Sequence, residues 1–153
     1  MAAQSKSKRK VVHADIKLNA DPKLATRFLD VPNMPWEATK FPGIQIKVLY
    51  SDDDGLTTAL FKLAPGAVVP LHEHTALEQT FMLEGFLEDA EGRCGPGDFV
   101  WRPAGSRHTA WAPEGALMIA MFQAPNKFFE QNGRIADMIG QDWDLAWKRA
   151  LPG

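Results

Sequence analysis

Three of the four histidines fall in one stretch of the chain: His72, His74 and His108. His72 and His74 are two residues apart. On a strand such residues point to the same side, so both imidazoles can reach one place while Glu73, between them, points away. Glu78 opens the next extended run, near enough to return a carboxylate to that place. His108 follows much later, beyond Pro103 and Gly105, and depends on the fold to bring it there. Three imidazoles and a carboxylate suit a divalent first-row metal: Fe, Mn, Ni, Cu or Zn. Without a cation, such groups inside a sheet structure would each need hydrogen bonds, at ~1–3 kcal/mol for every one left unsatisfied. His13 belongs to no such cluster and reads as a surface or packing residue.

The elements that must hold these residues are short and extended. Ile44, Ile46, Val48 and Tyr50 alternate with polar or smaller neighbours, a period of two. Strands are predicted over 44–50, 57–63, 67–74, 78–83, 86–89, 98–102, 108–111 and 116–122. Asp52-Asp53-Asp54-Gly55, Pro65-Gly66, Gly85, Glu91-Gly92, Pro96-Gly97, Pro103-Ala104-Gly105 and Pro113-Glu114-Gly115 supply the turns between them. The triple Asp lacks the spaced ligands and closing Glu of a calcium loop. Many short strands punctuated by Gly and Pro predict an all-β double-sheet or closed architecture. Three regions follow: an N-terminal tail and proline-rich wrapping arm over 1–42, a barrel over 43–125, and a C-terminal hairpin and helix over 126–153. The arm carries Pro22, Pro32, Pro35 and Pro42, with one helical turn expected within 21–27. Asp142 is the expected N-cap of the last helix, with Trp143, Trp147 and Leu151 on one face.

Composition bounds the rest. The chain has 153 residues, 45% hydrophobic and 24% charged, which suits one globular domain. No apolar run is long enough for a membrane helix, and the polar, basic start is not a signal peptide, so a cytoplasmic location is expected. The single cysteine, Cys94, excludes an intrachain disulfide and a Cys-rich zinc finger. It is placed in a Gly-rich turn, where Arg93 would favour a thiolate but no second cysteine stands by. The net charge of −2 argues against nucleic acid as a partner, and the basic run over 5–10 reads as a solvated terminus.

Two spaced motifs carry a resemblance. Gly66-x5-His72-x-His74-x3-Glu78-x6-Gly85 is similar to the first cupin motif at every defining position, and Gly97-x5-Pro103-x-Gly105-x2-His108 to the second. Ala112 stands where the second pattern usually carries Asn. The resemblance implies a cupin (double-stranded β-helix, jelly-roll) barrel with one mononuclear site whose ligands are His72, His74, Glu78 and His108. The run from His72 to Gly105 resembles the cupin domain of ChrR-type anti-sigma factors, which hold zinc. The stretch from Phe128 to Ile135 resembles cupins related to acetylacetone dioxygenase, iron enzymes that cleave a carbon–carbon bond in β-diketones. That enzyme uses three histidines and lacks the motif Glu, which this chain keeps as Glu78.

The expected function is therefore a mononuclear Fe(II) dioxygenase acting with O2 on a β-diketone or related enolisable ketone. One divalent ion per chain is expected, Fe(II) favoured, and Glu78 is the candidate catalytic carboxylate. No other cofactor is expected. Phe61, Met82, Trp101, Met118 and Phe122 are candidate pocket walls, and Arg107, with Arg102 nearby, is placed to steer an anionic enolate. The alternatives are a non-catalytic zinc sensor of the anti-sigma type and a sugar-directed isomerase-like cupin. Edge strands, the proline-rich arm and the Trp-bearing tail predict a homodimer or tetramer.

Overall fold

The computed structural model describes residues 21–138, 140 and 142. The basic run, His13, and the Trp143–Trp147 face expected on a terminal helix lie outside the described residues. The strands in chain order are β1 (Glu37–Ala38), β2 (Ile44–Ser51), β3 (Thr57–Leu63), β4 (Ala67–Glu73), β5 (Glu78–Gly85) and β6 (Leu87–Asp89). They continue with β7 (Gly92–Cys94), β8 (Phe99–Arg102), β9 (Arg107–Ala112), β10 (Ala116–Phe122), β11 (Lys127–Phe129) and β12 (Ile135–Ala136). They form two antiparallel sheets, ordered β1-β2-β3-β10-β5-β8 and β12-β11-β4-β9-β6-β7. The result is a jelly-roll sandwich; the two sheets are not closed into one hydrogen-bonded barrel.

Period-two alternation builds the interior. Ala59, Phe61 and Leu63 of β3, Thr80 and Met82 of β5, and Met118 and Ala120 of β10 face inward from the first sheet. Ala67 and Val69 of β4, Leu87 of β6, Ala110 and Ala112 of β9 and Phe128 of β11 meet them from the second. The many alanines let the sheets approach closely around a few large side chains. Gly85 shows how tight the corners are. It has φ +66°, and a Cβ there would stand 2.0 Å from the carbonyl oxygen of Gly115, so no other residue fits.

One irregularity decides the orientation of β4. Val69 pairs with Ala110, but the next regular pair is His72 with His108: three steps along β4 against two along β9. Pro70 and Leu71 carry the extra residue, a β-bulge that shifts the inward side from odd to even positions. Pro70 has no N–H to give to a ladder, and bulges accept such residues. Ala67 and Val69 face in before it; His72 and His74 face in after it.

The arm behaves as short pieces. Pro22–Leu24 is one 3-10 turn, capped by the Asp21 side chain, which accepts from the Lys23 backbone N–H at 2.9 Å. Lys47 donates to the Val31 carbonyl at 2.8 Å, and its ammonium and that of Lys62 both lie over the Trp36 ring. At the other end, β11 and β12 pair as a hairpin, and Phe128 pairs in register with His72. Asp142 makes a bridge to Ala136.

Strand β7 corrects the expected turn around Cys94. Asp89 accepts the backbone N–H groups of Glu91 and Gly92 at 2.8 and 3.0 Å, closing a tighter turn that frees Gly92–Cys94 to pair with β6. Cys94 is buried there, and burial together with Asp98 pushes its thiol pKa up. Arg93 is turned to other partners, stacking on Phe86 and pairing with Glu88.

Candidate metal centre

Two strands of the second sheet and the turn between Pro103 and Ser106 bring the histidines together. His72 and His108 are cross-strand partners on β4 and β9. His74 lies one residue past β4, held because its N–H donates to the Ser106 carbonyl at 2.9 Å and its carbonyl accepts from Gly105 at 2.7 Å. The Pro103–Gly105 turn thus docks on the histidine it must serve. The Nε2 atoms converge: His74 to His108 at 3.0 Å and His108 to His72 at 3.1 Å. Among the described residues, these three form the one group whose donor atoms lie within 4.8 Å of one another.

Each outer ring nitrogen is backed by an acceptor. His72 Nδ1 lies 2.8 Å from the Pro70 carbonyl, which can only accept, so Nδ1 carries the proton and Nε2 the lone pair. His108 Nδ1 lies 2.9 Å from Asp89 Oδ2. His74 Nδ1 lies 2.9 Å from Glu78 Oε2, a close contact that is not aligned as a hydrogen bond. This pattern aims the Nε2 lone pairs of His72 and His108 at the point where His74 Nε2 also arrives, and the two repel unless a cation sits among them. Protons are poorly placed to be that cation. Burial, reinforced by the neighbouring imidazoles, lowers the His72 pKa to about 4, and burial with Arg102 lowers that of His108. At metal–nitrogen distances of ~2.0–2.1 Å, separations near 3 Å correspond to neighbouring ligands at about a right angle. The residues present therefore fit a three-histidine metal site.

Glu78 is brought to the cluster at the back of His74, not at the shared point. Its Oε1 accepts from Thr80 at 3.1 Å and its Oε2 from the Asn126 amide at 3.0 Å. Burial alone would raise its pKa, but His74, Asn126 and Arg102 outweigh that and hold it at about 2. Asp89 is likewise held at about 2: burial opposes ionisation, and the Glu91 N–H, His108 and Arg102 overcome it. Arg102 ties the two carboxylates together, 3.1 Å from Asp89 and 3.8 Å from Glu78, with its side chain only 11% exposed. Such outer partners fix ring orientation and tune ligand basicity. Asp89, Asn126 and the inward role of Arg102 escaped the sequence. Asp89 reads there as the end of the strand 86–89; it also closes the following turn, and only the pairing of β6 with β9 sets it beside His108.

The pocket candidates separate. Phe61, Met118 and Phe122 line a small inner cavity of about 40 Å³ with His72, Glu78, Arg102 and His108. Met82 is fully buried in the core and does not line it. Trp101 is 60% exposed, because alternation along β8 turns Val100 and Arg102 inward and Phe99 and Trp101 outward. Arg107 pairs with Glu73 at 2.6 Å and lies over Phe129. Trp101 and Arg107 line an open polar bowl of about 380 Å³ instead.

The model of the ChrR cupin-like domain matches residues 25–127, well over half of the chain. The protein belongs to the ChrR cupin-like family. Structures similar to this cupin include a proposed acetylacetone dioxygenase from Methylibium petroleiphilum, with TM-score 0.67, 21% identity, and 83% of this chain and 97% of that one covered. An acetylacetone dioxygenase from Acinetobacter johnsonii is similar over 99% and 100% of the two chains, with TM-score 0.58 and 18% identity. The complex of SigE with the anti-sigma ChrR from Rhodobacter sphaeroides is similar at TM-score 0.53 and 24% identity, covering 60% and 50%. At these identities the likeness concerns the fold. No curated protein matches the sequence. Among the described residues no helix is long and apolar enough to cross a membrane.

Proposed function

We propose that this cupin is a mononuclear Fe(II) dioxygenase that cleaves a carbon–carbon bond in a β-diketone or a related enolisable ketone. The observation that carries the reading is the convergence of three histidine Nε2 atoms with no carboxylate among them. Three imidazole donors with no carboxylate among them would leave positions on a bound metal for a chelating substrate and for O2. Bound there, ferrous iron would supply Lewis acidity toward an enolate and electrons for O2. The chain's own residues do the rest. Pro70 and Asp89 hold His72 and His108 each in one tautomer, and Glu78 lies against Nδ1 of His74. Arg102 keeps both carboxylates ionised and aimed. Phe61, Met118 and Phe122 exclude bulk water from the inner face. Glu78 acts on this reading by orienting His74, not as a ligand.

Oxygen uptake with 2,4-pentanedione tests it. Iron-loaded protein is expected to consume O2 and release a carboxylate product, and chelated protein to do neither. Tight zinc binding with no turnover across a diketone panel would instead favour a second reading, a metal-holding sensor. The family match over residues 25–127 supports that alternative.

A further inference from the structure

The inner cavity is smaller than any diketone. About 40 Å³ holds a few waters, at ~10–15 Å³ each on this measure. A substrate chelated at the histidines must therefore extend into a neighbouring space, and among the described residues two such spaces share walls with it. The polar bowl meets His108 from the Asp89 side, behind the ring. The other space is an apolar pocket of about 200 Å³ between β2, β3 and the segment after β12, with Ile46, Val48 and Phe128 in its walls. It shares Phe61, Phe122, Asn126 and Met138 with the inner cavity. Phe128 stacks on His72 with ring centroids 4.9 Å apart, so one wall of this pocket is a ring packed directly on a metal-site imidazole. Asn126, a polar group common to both spaces, is engaged by Glu78.

Building on the chelating-substrate reading above, we propose that the apolar pocket is a substrate subsite. It takes an apolar substituent of about phenyl size, while the two oxygens of the same molecule face His72, His74 and His108. The preferred substrate class is then an aryl- or bulky-alkyl-substituted 1,3-dicarbonyl rather than the smallest diketone. Burial of such a group is worth ~25 cal/mol per Å² of apolar area, enough to dominate selectivity between substrates with the same chelating head.

Calorimetric titration of the metal-loaded protein tests the subsite. 1-Phenyl-1,3-butanedione is expected to bind at least ~10-fold tighter than 2,4-pentanedione, and benzohydroxamate tighter than acetohydroxamate by a similar factor. Val48→Phe, which fills the apolar pocket from β2, is expected to remove most of that preference; Thr57→Phe, entering from β3, replaces it if Val48→Phe fails to load metal. Equal affinities within both pairs, or a preference that survives the filled pocket, would overturn the proposal. Aryl preference without O2 uptake on any diketone would support the subsite and remove only the dioxygenase reading, because hydroxamates chelate whatever reaction the metal performs.

Discussion

The inner faces of the two sheets do different work at one site. The second sheet supplies every converging donor: His72 and His74 from the β4 end, His108 from β9. The first sheet supplies none of them. It contributes Glu78 from β5 and Arg102 from β8, paired in register, and the apolar walls Phe61, Met118 and Phe122. Donor geometry and electrostatic support are thus carried on separate layers that meet only when the sandwich closes. Asp89 is the exception, a supporting carboxylate on the donor sheet. The division teaches that metal affinity here depends on sheet packing as well as on ligand identity.

Removing a donor should break the comparison most sharply. His72→Ala, His74→Ala and His108→Ala are each expected to abolish stoichiometric metal binding, measured by elemental analysis of purified protein. Next comes the first sheet's own contribution. Glu78→Gln should keep one metal per chain but weaken affinity ~10–100-fold in a chelator competition, as expected for an outer partner. A loss as complete as that of the histidine variants would put the carboxylate on the metal and erase the distinction between the layers. Asp89→Asn should act in the same way through His108, toward the lower end of that range, since Asn can still accept from Nδ1.

The smallest effect is one of pH on metal-free protein. His72 is charged in the unfolded chain below 6.5 but stays neutral in the fold down to about 4. In that window the unfolded chain binds more protons, so its share of the stability is present above 6.5 and is lost as pH falls toward 4. Glu78, with its pKa lowered from 4.5 to about 2, continues the loss between those values. Urea midpoints of chelated protein should fall on acidification through both windows. A midpoint that holds constant from pH 7 to 4 would contradict the buried, neutral imidazole.

Much of the architecture was legible in local pattern. Alternation and Gly/Pro punctuation marked the strands from β2 to β6 and from β8 to β10, because each is half-buried and each turn needs its own chemistry. The short β7 was not, since Gly92-Arg93-Cys94 carries no alternation and pairs only because Asp89 closes the turn before it. The site followed the same rule. That His72 and His74 share a side is a property of sequence spacing alone, set by the two-residue repeat of a strand. Which side they share is not: continuing the repeat from Ala67 and Val69 would turn both rings to solvent, and the bulge at Pro70 and Leu71 reverses it. The spacing also brought a carboxylate near His74. Only the packed sandwich, by giving Glu78 the hydroxyl of Thr80, the amide of Asn126 and the guanidinium of Arg102, holds it behind the ring rather than at the point where the three nitrogens meet.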